Sequence, residues 1–157
     1  MPRLGLADDD FTTITTRCDL IIHNAWKVDL YQSLSSFTDN IQSVRTMIDW
    51  SASSPRQPRI VFISSISSVG AWESMCKDGP MVPEAPITDF NASLHMGYAE
   101  SKQVAEQILD TAATKCHVPV TIVRAGQMCG STIAGDMPWA ERDLIPSMPA
   151  TSKSPGL

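Results

Sequence analysis

The sequence predicts an α/β chain built on a doubly wound parallel sheet, and three observations carry that expectation. Short aliphatic runs at 20–25 (LIIHNA), 60–64 (IVFIS) and 120–124 (VTIVR) have the length and β-branched character of strands. Their apolar residues are continuous rather than alternating, as in strands covered on both faces. Helical periodicity fills both intervals, and strand, helix, strand, helix, strand is the grammar of right-handed crossovers in a parallel sheet.

Taken in order, residues 8–17 form a first helix, with Asp8, Asp9 and Asp10 suited to its positive end. The strand at 20–25 follows. Phe37, Ile41, Val44 and Ile48 recur at spacings of four, three and four and so share one helical face. After the strand at 60–64, residues 77–91 (KDGPMVPEAPITDFN) hold three prolines and a glycine, which makes them a loop. Val104, Ile108, Leu109 and Ala112 mark the next helix, and the strand at 120–124 follows it. Beyond Gly130 periodicity fades, Pro138, Pro146, Pro149 and Pro155 punctuate the tail, and a short helix is expected around 139–144.

A chain of 157 residues has the length of one modest domain or part of one. Its 43% hydrophobic and 18% charged residues are ordinary for a globular protein. The net charge of −5, with twelve dispersed Lys and Arg, argues against a nucleic-acid partner. No apolar run approaches the ~18 residues that span a bilayer, and the start, MPRLGLADDDF, lacks the layout of a secretory signal, so a cytoplasmic protein is expected. Cys18, Cys76, Cys116 and Cys129 are widely spaced and the three histidines show no ligand spacing, so neither a disulfide scaffold nor a metal site is expected.

Two features could carry chemistry. Tyr98 and Lys102 lie four apart at the start of a predicted helix, which puts the ammonium near the phenol. A fixed positive charge beside a phenol favours its ionised form and suits it to acid–base work, although a solvated Tyr beside a solvated Lys fits the same spacing. Ser64 and Ser65 end a strand whose carboxyl end is where doubly wound sheets bind ligands. A hydroxyl there can hold a carbonyl oxygen; equally, Ser64, Ser65, Ser67 and Ser68 can simply bond the turn backbone.

Together these pieces resemble an extended short-chain dehydrogenase/reductase, most closely the terminal thioester reductase domains of nonribosomal peptide and polyketide synthetases, including fungal synthetase-like reductases. The resemblance runs through PRLGL (2–6), DLIIHNAW (19–26), DNIQSVRTMIDWSA (39–52), PRIVFISSISSVG (58–70), VPE (82–84), MGYAESKQVAEQIL (96–109), VTIVRAGQMCG (120–130) and LIPSMPATSKSPG (144–156). It implies a single partial Rossmann-like domain over 1–157, with the substrate-binding portion beginning at 131–157. It also implies a catalytic triad of Ser65, Tyr98 and Lys102, with Ser64 and Ser67 as alternatives to Ser65. Tyr98 would protonate a carbonyl oxygen, Ser65 would hydrogen-bond that oxygen, and Lys102 would tune the tyrosine and hold the nicotinamide ribose. NADPH is the implied cofactor. It would be bordered by His23, Asn24 and Ala25, by Ser64, Tyr98 and Lys102, and by Ala125, Gly126 and Gln127.

Alternatives stay open at several of these positions. His23 could be a half-buried histidine satisfied locally, Trp26 a core aromatic or a tunnel wall, Asn40 a helix-start residue, and 125–127 a simple turn. The implied substrate is an acyl or peptidyl thioester on a carrier protein, released as aldehyde or alcohol in secondary metabolism. One element of the family is missing from the sequence: none of the eight glycines forms the G-x-x-G-x-x-G turn that holds the pyrophosphate. In the strand order 3-2-1-4-5-6 the strand at 20–25 then becomes an open edge. A separate chain supplying an N-terminal half is one expected partner. A non-catalytic remnant or interaction module, or a reductase or epimerase acting on an acyl-CoA or a nucleotide sugar, are the competing readings.

Overall fold

The structure is a computed structural model that describes residues 5–76 and 81–131. The chain divides into two compact units, Met1–Ala125 and Gly126–Leu157. In the first unit, helix α1 (Asp8–Arg17) carries three aspartates in its first turn and Arg17 in its last, matching the helix dipole at both ends. Its threonines bond back along the helix: Thr12 to the Asp8 carbonyl, Thr15 to Phe11 and Thr16 to Thr12. Ser54 donates to the Thr15 carbonyl, and Arg56 grips Asp19 through two hydrogen bonds of 2.7 and 2.9 Å.

Strands β1 (Leu20–His23), β2 (Arg59–Ser65) and β3 (Val120–Ala125) form one parallel sheet in the order β1-β2-β3. That is the order expected for the second half of a doubly wound sheet, with β1 at an edge. Helix α2 (Thr38–Ser53) connects β1 to β2. A short helix α3 (Trp72–Met75) and the long α4 (Gly97–Cys116) lie between β2 and β3.

Helices α2 and α4 pack against each other and against one face of the sheet. The core between them holds Ile21, Ile60 and Phe62 from the strands, Val44, Met47 and Ile48 from α2, and Ala105, Leu109 and Ala112 from α4. Phe62, Val44 and Leu109 are fully buried, and each such side chain stabilises the fold by about 1.5–3 kcal/mol.

The second face of the sheet differs from expectation. The aliphatic runs predicted cover on both sides, yet Ile21 and His23 are buried while Leu20 and Ile22 are 49% and 62% exposed. Side chains alternate along a strand, so the residues between the core positions emerge on a face that no described element covers.

The predicted loop at 77–91 is irregular over its described part up to a 3-10 turn at Phe90–Ala92. It is held to α4 by Gln103, which donates to the Asp89 carbonyl at 2.7 Å, and by Gln107, which donates to the Ile87 carbonyl. The expected helix at 139–144 and the expected substrate-binding portion beyond residue 131 lie outside the described residues.

Candidate active site

The site is built on the start of α4, where Gly97 allows what no other residue could. A Cβ at Gly97 would overlap the backbone of Gln32, Ser33 and Leu34, so the chain before α2 lies directly on the helix end. One residue on, Tyr98 sits half-buried with its ring edge-on to Phe37, centroids 6.3 Å apart. Its hydroxyl makes no hydrogen bond among the described residues.

One turn further, Lys102 is 3% exposed. Its ammonium donates to the Ile63 carbonyl at 2.7 Å and lies 4.4 Å from the ring centroid of Trp26, 4.8 Å from Phe62 and 5.9 Å from Tyr98. Burial pushes its pKa down to about 8, against the opposing pull of the Glu106 carboxylate. Three aromatic faces and one carbonyl keep the cation tolerable there, and an ammonium with three protons keeps donors to spare.

At the carboxyl end of β2 the serine pair splits between two roles. Ser64 is buried and its hydroxyl donates to Glu106 Oε1. Ser65 pairs with Ala125 at the ends of their strands and caps the following 3-10 turn, Ile66–Val69. Its oxygen accepts from the Ser67 amide at 3.2 Å and the Ser67 hydroxyl at 2.9 Å. Its own proton has no acceptor among the described residues. Ser68 bridges the Ser65 carbonyl and Glu106 Oε1, 2.7 Å from each.

His23 ends β1 facing the core, against Phe62 and Trp26. Its Nε2 lies 3.0 Å from Ser43 Oγ, whose only proton goes to the Asn40 carbonyl at 2.6 Å, so Nε2 carries the hydrogen that Ser43 accepts. Burial, and then the charge of Lys102, hold its pKa below the usual 6.5. His23 is thus a locally satisfied neutral histidine. Asn24 and Ala25 are exposed just beyond it, at the same edge of the sheet. Trp26 donates from Nε1 to Ser101 Oγ at 3.2 Å, and Ser101 donates to the Tyr98 carbonyl at 2.7 Å. Trp26 therefore packs over the lysine and braces the turn that carries the tyrosine.

At the carboxyl edge of the sheet Ser65 pairs with Ala125 and Ser64 with Arg124, and the head of α4 reaches β2 through Lys102 on the Ile63 carbonyl, one helical turn from Tyr98. Gly126 and Gln127 belong to the second unit. A Cβ at Gly126 would meet nothing within 4 Å, and Gln127 is exposed, donating from Nε2 to the Met128 carbonyl at 3.2 Å. Among the described residues the Tyr98 and Ser65 hydroxyls have no acceptor; the Tyr98 ring lies 5.9 Å from the buried Lys102 ammonium, and Ser65 follows by two residues the Ile63 carbonyl that accepts from that ammonium. That set fits an electron-rich oxygen and the hydroxyls of a sugar.

Sequence reasoning missed Gly97, Glu106 and Arg124. Glu106, four residues after Lys102, is buried and paired with Arg124, which donates from Nε and Nη2 to Oε2 at 3.0 and 2.8 Å. An acid one turn below the lysine on a core-facing stripe was the available signal. Among the described residues there is no group of His, Cys, Asp and Glu able to hold a metal, and no helix long and apolar enough to cross a membrane.

The pattern of an NAD-binding family described as male sterility protein matches residues 1–150. An adenylate-forming reductase of Serpula lacrymans is 38% identical over 157 residues, covering 98% of this chain and 14% of its own length. A carboxylic acid reductase of Neurospora crassa is 33% identical over 149 residues, covering 95% and 14%. Among solved structures, the terminal R domain of the myxalamid PKS-NRPS pathway superposes with a TM-score of 0.68 at 28% identity, over 93% of this chain and 35% of that one. A thiolation-reductase di-domain from an archaeal non-ribosomal peptide synthetase gives 0.62 at 26%, over 78% and 26%. The chain thus spans a small part of the length of each of these relatives. By the extent of these matches and by its parallel α/β fold, the chain belongs to the NAD-binding male sterility protein family.

Proposed function

We propose that this chain carries the catalytic edge of an NADPH-dependent thioester reductase, acting in the cytoplasm on an acyl or peptidyl group held by a carrier protein. The observation that carries the reading is a pair of hydroxyls with no acceptor among the described residues, Tyr98 one helical turn before the buried ammonium of Lys102 and Ser65 two residues after the carbonyl that the ammonium bonds. The adenylate-forming and R-domain relatives support the substrate class.

Bound NADPH would supply the hydride. Lys102 would hold the ribose hydroxyls with the protons it does not spend on Ile63. Backbone at 23–25 and at Ala125 would border the cofactor, with Ser64 contributing through its place in the strand rather than its committed hydroxyl. Ser65 would hydrogen-bond the thioester oxygen as negative charge grows on it, and Tyr98 would give that oxygen a proton. The resulting hemithioacetal loses the carrier thiol and leaves an aldehyde; a second round gives the alcohol. A glycine-rich phosphate turn, supplied from outside the motifs of this sequence, would complete the cofactor site.

The test uses the nicotinamide half of the cofactor, since that is the half these residues would touch. Reduced nicotinamide mononucleotide at millimolar concentration is added to the 15N-labelled chain, wild type and Lys102→Ala. Amide shifts at Ser65, Tyr98, Lys102 and Ala125 that vanish in the variant support the reading. A folded chain with no shifts at those positions sinks it.

A further inference from the structure

We propose that Glu106 is a positioning residue for both Ser65 and Lys102, its buried carboxylate fixing the serine turn from below and holding a compensating charge one helical turn from the ammonium. This rests on the reductase reading only in treating Ser65 and Lys102 as the working groups. Glu106 is 3% exposed, and its carboxylate accepts four hydrogen bonds: Ser64 Oγ and Ser68 Oγ on Oε1, Arg124 Nε and Nη2 on Oε2. A buried carboxylate persists only when paired and hydrogen-bonded in this way.

The choice of donors is what gives the carboxylate a task beyond packing. Ser64 precedes Ser65 and Ser68 follows it by three residues, so one anion holds the turn on both sides of the residue that faces the carboxyl edge. The single Ser68 proton is shared between that carboxylate and the carbonyl of Ser65, 2.7 Å from each. With its backbone held at both ends and its oxygen occupied by Ser67, Ser65 has one freedom left, the direction of its proton. Arg124 extends the clamp to the loop beyond α3, donating to the carbonyls of Pro83 and Ala85 at 3.5 and 3.3 Å. A well-packed apolar pair would serve stability alone at least as well as this ion pair.

The charged and titratable groups around Lys102 come from three elements. β1 presents the neutral His23, β3 presents Arg124 behind Glu106, and α4 itself presents Tyr98 and Glu106; β2 offers only the Ile63 carbonyl. Among the described residues Glu106 is the single anion in that set.

The experiment follows the 13Cε resonance of Lys102 against pH in the 13C-lysine-labelled chain, together with amide exchange over 65–69, in wild type, Glu106→Gln and Glu106→Asp. The expected result is a midpoint below that of wild type in Glu106→Gln and a return toward it in Glu106→Asp, which keeps the charge. Amide exchange over 65–69 accelerates about tenfold in Glu106→Gln, the scale of losing one buried hydrogen bond. Should Glu106→Gln fail to fold, Ser68→Ala decides: faster exchange at 65–67 with an unmoved Lys102 titration supports the assignment. An unmoved midpoint in folded Glu106→Gln, or unchanged exchange in Ser68→Ala, overturns it. None of these readouts involves a cofactor, so absence of nicotinamide shifts would sink the reductase reading while leaving the role of Glu106 standing.

Discussion

At Gly97 the chain has no room for a side chain, because the backbone of 32–34 occupies the place of its Cβ. Gly97→Ala is expected to destabilise the fold by about 1–3 kcal/mol, the usual cost of overpacking, and to move the stretch before α2 off the end of α4. An unchanged urea midpoint would refute this. Tyr98→Phe tests the opposite case. The hydroxyl is unbonded while the ring packs on Phe37, so stability should change by less than ~0.5 kcal/mol. On the proposed reductase function, the same variant of a longer chain that contains this one should lose about 10²–10⁴ in rate, the contribution of a positioned proton donor. The legibility of these residues follows from where their information lies. Tyr98 and Lys102 were readable because helical geometry alone brings residues four apart together. The pairing of Glu106 with Arg124 needs the β2-β3 register and the seating of α4, and the need for glycine at 97 arises from a segment more than sixty residues earlier. Neither is local, so the sequence offered the acid one turn after Lys102 but neither its partner nor the contact at Gly97.

Helix α4 combines support and cost. Through Gln103, Gln107 and Glu106 it anchors the loop after α3, the serine turn and β3, while Lys102 brings a charge into its buried face. The folded pKa of Lys102 is about 8 against 10.5 for the free side chain, so between those values the unfolded chain binds more protons than the native one. Stability therefore rises with pH across that window, and below pH 8 the full penalty, on the order of 3 kcal/mol, is present. Lys102→Met should accordingly raise stability at pH 7 by about 1–3 kcal/mol, less whatever the Ile63 hydrogen bond contributes, with the gain shrinking toward pH 10.5. Denaturation of both proteins at pH 7 and pH 10 measures it, and a variant less stable than wild type at pH 7 would show that the cation is a net support. On the acid side, His23 is held below 6.5, so stability should fall as pH drops beneath that value and the unfolded chain takes up a proton that the buried ring refuses. The strands and helices themselves were legible from periodicity. Which faces are covered was not, because a continuous apolar run states that both faces suit burial without stating what buries them.

That distinction sets the behaviour of the whole molecule. The face of the sheet opposite α2 and α4 presents Leu20, Ile22 and Val123 at 49%, 62% and 40% exposure, with Val61 and Ile63 half-buried between them. β1 also pairs on only one side among the described strands. An apolar face next to an open, regular strand edge invites association with any chain offering the same. The continuity of the aliphatic runs shows that the sequence suits these positions to burial, and the chain spans 35% of the myxalamid R domain, so most of that fold has no counterpart in it. The expectation is that the isolated chain self-associates as its concentration rises, and that Ile22→Lys with Val123→Lys keeps it monomeric without disturbing the core, since both side chains point away from it. Light scattering across a concentration series checks this; a wild-type chain that stays monomeric would refute it. Placed in a longer reductase where other elements cover that face, the same double variant should instead destabilise the fold by several kcal/mol, because two ammonium groups would then be buried without partners. A sign change between the two settings would identify the face as an interior surface, whereas improved behaviour in both would identify it as solvent-facing in the native protein.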